Sequence, residues 1–404
     1  MDKNMCGAFV TVAAKDSVCT GADLICTGSH DEVTLQQAID RCAAEGKNLF
    51  LYNGRYSIDA FLPREDGGPA CALCLPNCGR ELRVLGQNSD YREDSGVVLW
   101  VSEEALDAVD GDGADVIRTT WTEKGMGSGS ALYMENLRIT LQHNQKPVRC
   151  VDLRRCDRPE LHNVRTFGYP AAAAGFGRPP EPAVPGCIGI TMTDGSNAFF
   201  SNYYNCSGSG MYEAFQVGGE HVVLVNCSAI MNVYGYTFGN YTIRCGANHP
   251  ITMINCMDER NVHLPLFNSC GDSIRGSLER MQGGQEVNMI SFNMERIPAQ
   301  TPGGVLGDCM REVHPGTWRG TIEFTAQPDW HHLNEEDYQL WENDGSGTGF
   351  RTRNVAHKQI CTTAERLRYY PTYGQQIFDT DLNKLLICTD PANRIWVDAS
   401  GNIV

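Results

Sequence analysis

The feature that most constrains this chain is a corner it repeats. GEHVVLVNCSAIMN, Gly219 to Asn232, reads as an apolar strand that breaks at an Asn-Cys pair and then resumes. The same pair closes the strands in AFFSNYYNCSGSG and HPITMINCMDERN. From about Ala131 to Ile297 one unit recurs: an apolar strand, a Gly/Asp/Asn corner, a second apolar strand, then an asparagine followed by a small or apolar residue. The anchors are Asn136, Asn163, Asn205, Asn226, Asn255 and Asn293, at intervals of 27, 42, 21, 29 and 38 residues. The longest interval holds YPAAAAGFGRPPEPAVPG, a Pro/Gly/Ala loop of the kind inserted between repeats without disturbing them. TMTDGSN, FQVGGEH and RCGANH are matching corners before the second strands.

Strands rising about 3.3 Å per residue, bent two or three times within a period in the twenties, fit one turn of a parallel β-helix. One such coil cannot bury its inward side chains, and stacking does it. At the bend, asparagine tolerates the left-handed conformation, and amides stacked coil above coil hydrogen-bond into a ladder. The next residue turns inward, where Cys206, Cys227 and Cys256 act as small buried hydrophobes. A β-sandwich also spaces strands regularly, but it has no reason to repeat the corner sequence.

Toward the N-terminus, residues 29–45 carry the best helix pattern. Ser29 and Glu32 suit a capping box, Leu35, Ala38, Ile39 and Cys42 form one apolar face, and Gly46 closes it. KNLFLYNGRYSID then alternates as a strand and turns at Asn53-Gly54, as a hairpin or a coil corner. The expected organisation is an N-terminal segment over 1–28, a β-helix with its capping helix over 29–297, an irregular linker over 298–358 and a small β-rich module over 359–404.

With 18 cysteines scattered over 404 residues, the chain does not resemble a short disulfide scaffold. CALCLPNC, with Cys71, Cys74 and Cys78, has only partial zinc spacing, so buried or loop thiols are expected and no metal site is assigned. The net charge of −16 and a pI near 5.0 set the overall field against nucleic acid and anionic membrane. RTRNVAHKQICTTAERLR, Arg351 to Arg368, is the one basic patch and reads as a solvated face. No run of 18 apolar residues would insert into a membrane, and the opening residues form no convincing signal peptide.

ADLICTGSHDEVTLQQAID followed by KNLFLYNGRYSID resembles the opening helix and first coil of pectin-lyase-fold proteins, especially those of bacteriophage and prophage tails. TTAERLRYYPTYGQQIFDTDLNKLLICTD with RIWVDASGNIV is similar to a C-terminal module of phage tail-fibre and tailspike proteins. With the coils, the resemblance covers nearly the whole chain. It implies an all-β, right-handed, single-stranded parallel β-helix, a homotrimer, and a place on a virion tail or outside the cell. Proteins of this fold include lyases, glycoside hydrolases, epimerases and receptor binders without catalysis, so the fold does not fix the function.

Polysaccharide chemistry on such a scaffold needs carboxylates, or a cation with a base, projecting from adjacent coils onto one sugar. TMTDGSN is similar to the first acidic motif of polygalacturonases and nominates Asp194. The next coil offers only Glu213 where that family has an aspartate pair, VYGYTFG replaces its Gly-His-Gly, and Arg244 in TIR is the nearest match to its RIK. CMDERNVH adds Asp258, Glu259, Arg260 and His263, and PDWHHLNEEDY adds Trp330 as a stacking surface beside His331 and His332. ALDAVDGDGADVI, with Asp107, Asp110, Asp112 and Asp115, departs from the EF-hand spacing, leaving calcium as an optional ligand of an irregular acidic loop. The leading reading is a tail-type protein that binds bacterial surface polysaccharide. The alternatives are a polysaccharide lyase or hydrolase on the same fold and a structural tail component without ligand.

Overall fold

The computed structural model describes residues 8–90, 95–121, 131–170, 182–192, 201–218, 221–238, 250–263, 265–267, 286–295, 311–312, 319–326, 349–354, 360–367, 374, 376–390 and 392–404. The chain is a parallel β-helix. Each coil contributes a first and a second strand to one 17-stranded sheet and a third strand to an 8-stranded sheet, and the stacked first, second and third strands make the first, second and third faces. Three successive coils show the plan. Asn202–Tyr204, Ser207–Ser209 and Glu213–Val217 lie under Val222–Val225, Ser228–Ile230 and Tyr234–Phe238. These in turn meet Ile251–Ile254, Met257–Glu259 and Leu266–Phe267, all pairings being parallel.

The corner between first and second strands is the asparagine expected. Asn136, Asn163, Asn205, Asn226 and Asn255 all sit in the left-handed region, with φ between 52° and 57°. Asn163 Nδ2 donates to Asn136 Oδ1 and Asn255 Nδ2 to Asn226 Oδ1, each at 2.8 Å. Behind the corner, Cys206, Cys227 and Cys256 are fully buried, and each thiol sits 3.5–3.6 Å from a carbonyl of the preceding coil. Asn293 is a correction. Ile254 pairs with Ile290, which brings Ser291, at φ 52°, opposite Asn255 and leaves Asn293 two residues beyond the corner. The left-handed bend is a backbone requirement that asparagine meets most cheaply, and serine meets it here.

A second corner carries another asparagine pair. Asn232 Nδ2 donates to Asn261 Oδ1 at 2.9 Å and to the Gly208 carbonyl at 3.1 Å, and Asn232 Oδ1 accepts the Met211 N–H at 2.9 Å. Both side chains are buried, so these amides replace water for backbone groups that the bend leaves unpaired. Inside the coils, Phe215 stacks on Tyr236 at 5.1 Å, and Tyr236 meets Phe292 edge-on at 5.7 Å.

The stack extends beyond 29–297. Phe9–Ala13 pairs in parallel with Asn48–Leu51, so helix α1, Asp31–Glu45, is the crossover between two strands of one sheet and not the start of the fold. At the other end, Arg319–Ala326 and Gly349–Asn354 add two further parallel strands. The expected capping box does not form: His30 is the N-cap, without a side-chain cap bond. A tertiary contact holds the N-cap instead, Asp59 Oδ2 accepting the His30 N–H, while Asp31 Oδ1 accepts from Thr27 and Gly28 in the turn that leads into the helix. Gln36 of α1 closes the exposed edge of the 8-stranded sheet at Ala70–Leu75. Its amide accepts the Cys74 N–H at 2.8 Å and donates to the Cys74 carbonyl at 3.0 Å, as a neighbouring strand would. Asn53-Gly54 makes a coil corner and not a hairpin; at φ 146°, a side chain at Gly54 would run into Ala14 and Asp16.

The C-terminal module is a four-stranded sheet over 360–398 with its own small core of Cys361, Ile377, Leu386, Cys388 and Trp396. Arg366 pairs with the fully buried Asp379 at 2.9 Å beside that core.

Candidate functional site

Two outward positions precede each corner asparagine on the first face, at one and three residues before it, because strand side chains alternate. They stack into two columns. One runs Glu135, His162, Tyr204, Val225, Ile254, Ile290, and the other Tyr133, Glu160, Asn202, Val223, Thr252, Asn288. Over three coils the surface is aromatic and charged. His162 stacks between Tyr133, at 5.2 Å, and Tyr204, at 4.6 Å. Its Nε2 lies 2.8 Å from Glu160 Oε1. The Tyr133 hydroxyl donates to Glu135 Oε2 at 2.9 Å, and Arg83 sits 5.0 Å from the Tyr133 ring. Burial and the Glu135 hydrogen bond push Tyr133 up to about 12, so it remains a neutral phenol. His162 and Glu160 keep 30% and 39% of their side-chain surface open. Further along, the same face becomes apolar, with Ile254 and Ile290 exposed.

The outer side of the third face is charged as well, but closed over. Cys71, Asp115 and Arg149 form one column and Cys74, Arg118 and Asp152 the next. Arg118 forks onto Asp66 with two bonds of 2.7 Å, and Arg154 forks onto Asp152. Arg149 Nε lies 2.5 Å from Asp115 and 3.7 Å from Asp152. Burial opposes ionisation of Asp66, yet Arg118 and two backbone N–H groups hold it down at about 2. Asp115 moves the other way, raised by burial and then by the neighbouring Asp152 charge. Its Oδ2 is buried without a hydrogen-bond partner.

The sequence candidates that fall among the described residues do not share one site. Asp258 turns inward, continuing the column Thr166, Gly208, Ala229, and is 3% exposed. Gly235 leaves the room it needs, since a side chain there would meet Asp258 Oδ2 at 2.4 Å. Glu259 points outward beside Arg260, at 3.4 Å, where Arg260 occupies the second corner at φ 55°. His263 belongs to the third face, stacked on Tyr234 at 4.7 Å. Glu213 is one rung below Tyr234, buried, accepting the Thr237 hydroxyl at 2.5 Å, and burial raises its carboxyl. Glu213 and His263 therefore share a column while Asp258 faces the interior. The four residues from CMDERNVH do not form one rim, because period-2 alternation from the corner separates them. Asp194, Arg244 and Trp330 lie outside the described residues.

The acidic loop also disperses. Asp107 lies 3.4 Å from His143, Asp110 caps the Asp112 N–H, and Asp115 belongs to the third face with Arg149. Among the described residues, the group close enough to share an ion is His30, Glu32 and Asp59. Glu32 Oε2 and Asp59 Oδ2 already accept backbone N–H groups there. The first-face strip was the residue set missed, although counting back one and three from each corner asparagine names it.

No family model matches the chain, and no curated protein matches its sequence. Among solved structures, the chain is similar to the tailspike protein of the Acinetobacter phage vB_ApiP_P1, at 11% identity and a TM-score of 0.37, covering 82% of this chain and 57% of that one. It is also similar to tailspike protein 3 of bacteriophage CBA120, at 9% identity and a TM-score of 0.29, covering 91% of this chain and 67% of that one. The chain thus spans little more than half the length of the first of these structures. At these values the parallel β-helix rests on the strand pairing itself.

Proposed function

We propose that the chain is a phage-tail-type β-helix protein that holds bacterial surface polysaccharide against the outer side of its first face. The observation that carries this is the stack of the Tyr133, His162 and Tyr204 rings across the two columns, with Glu135 and Glu160 on the same rungs and Arg83 on the next. A glycan offers hydroxyls and apolar C–H patches along a linear repeat. Rungs about 4.8 Å apart, carrying carboxylate acceptors, a cation and aromatic edges, offer complementary contacts along the same direction. In this reading the protein acts on a virion tail or outside the cell, and copies associate as a homotrimer. The exposed Ile254 and Ile290 are the surface we assign to that association. A mass measurement in solution tests the trimer, and a monomer would remove it.

The function is tested by binding the full chain to bacteria with and without their surface polysaccharide. Binding that needs the polysaccharide and is competed by it supports the reading. Equal binding to stripped cells would count against it.

A second reading, a lyase or hydrolase, is favoured by one feature: Glu135 and Glu160 project from adjoining rungs of the same open strip. New reducing ends or unsaturated products on a polysaccharide panel, lost in Glu135→Gln or Glu160→Gln, would establish it. Asp194, Arg244 and Trp330 enter the same assay as further variants.

A further inference from the structure

The two outward columns of the first face do not begin at Tyr133. Arg83 and Leu85, in the strand Glu81–Gly86, pair with Tyr133 and Glu135. Leu85 pairs in turn with Phe50, Phe50 with Thr11, and Phe9 with Asn48. Asn48 faces Arg83, whose N–H donates to Asn48 Oδ1 at 3.2 Å. Toward the N-terminal end the columns therefore continue as Leu85, Phe50, Thr11 and as Arg83, Asn48, Phe9. From the Phe9 rung to the Tyr204 rung the distance is about 24 Å, against about 10 Å for the rungs that carry Tyr133, His162 and Tyr204 alone.

The far end of this extension is aromatic. Phe9 meets Phe50 edge-on at 6.3 Å, and Phe50 meets Tyr52, on the same side of its strand, edge-on at 5.1 Å. All three rings are half-buried, so each keeps open surface. Their planes cross at 77° and 79°, whereas the Tyr133, His162 and Tyr204 rings lie within 28° of parallel. Parallel rings cover one another's faces and present their edges. An edge-on contact covers one face of one ring, which leaves ring face for a further partner. Between the two aromatic groups stands Arg83, with half its side chain open and its Nε held 2.7 Å from Glu81. At the outermost rung the Thr11 hydroxyl is taken up by Asp23 at 2.8 Å.

We propose that Phe9, Phe50 and Tyr52 form a second aromatic subsite, where a further sugar of the same bound chain packs its apolar C–H face on the rings, so that the protein takes an extended glycan laid along the β-helix axis. The subsite rests on the reading of the first face as the glycan surface. A sugar chain suits it better than a second copy of the protein for two reasons. The rings stand on the same columns as the Tyr133, His162 and Tyr204 stack, in the direction a linear polymer would run. They are also flat and already held by one another, so binding costs them little side-chain freedom, whereas the end of this face assigned to association carries the aliphatic Ile254 and Ile290. Short glycans reach one aromatic group, and long ones reach both.

The test titrates the full chain with oligosaccharides cut from one purified surface polysaccharide and sorted by length, a disaccharide against an octasaccharide. The octasaccharide is expected to bind at least about fivefold more tightly than the disaccharide. Phe50→Ala should bring that ratio down toward one, and Phe9→Ala, at the outermost rung, reads the same loss where Phe50→Ala does not fold. Equal affinities for the two lengths in the unaltered chain would overturn the subsite and leave the first face as the glycan surface. So would a ratio that both variants keep, and a change of mass in solution alongside it would assign the rings to contact between copies. Binding of neither length would overturn the glycan reading together with the subsite.

Discussion

The outer sides of the first and third faces carry similar chemistry in opposite surroundings. Both place carboxylates and cations on neighbouring rungs of a parallel sheet. On the third face a loop bearing Asp66 closes over them, so that Asp115 and Arg118 have no exposed surface, whereas on the first face Glu160 and His162 stay open. Closed charges must satisfy one another, and open ones are free to meet a ligand. The same residue types thus become architecture on one side and a binding surface on the other.

That contrast is sharpest where a closed pair loses one member. Asp66→Ala strands the buried Arg118 guanidinium, and the expected loss is about 3–5 kcal/mol, read as a lowered thermal midpoint. Next in size is the buried corner: Asn232→Ala leaves the Gly208 carbonyl and the Met211 N–H without their partner and should lower stability by about 2 kcal/mol. If Asn226→Ala, at the open corner, proves as damaging as Asn232→Ala, the distinction between the two corners fails; about 1 kcal/mol is expected there.

The closed face also sets opposite pH dependences. Asp66 is held below the ordinary carboxylate range, so its contribution is present above about pH 4 and fades as pH falls toward 2. Asp115 is raised, so the folded chain keeps a proton that the unfolded chain releases, and its contribution fades as pH rises above about 4. Asp115→Asn should remove that second slope, measured as the change in thermal midpoint between weakly acidic and neutral buffer. An unchanged slope would mean that Asp115 is ionised in the fold.

The coils were legible because their signal is local and repeated: a left-handed bend wants asparagine, and the residue behind it turns inward and is small or apolar. The same rule failed at Ser291, where the backbone requirement persists and the preferred residue does not. The N-terminal strand Phe9–Ala13 was hidden because its partner lies beyond the helix, and only pairing reveals it. Asp258, read as a rim residue, faces inward by the alternation that starts at Asn255. Asp66 and Arg118 meet across 52 residues, a contact that no local pattern encodes.

The smallest stability effect and the largest functional one are expected at the same place. Tyr133→Ala, His162→Ala and Tyr204→Ala each remove a partly exposed ring, with a stability change expected within about 1 kcal/mol. The most direct measurement is equilibrium binding of purified surface polysaccharide to the full chain and to the triple variant, both checked for an unchanged fold. The account predicts at least tenfold weaker binding by the triple variant, whereas equal affinity would contradict the assignment of the first face as the glycan surface.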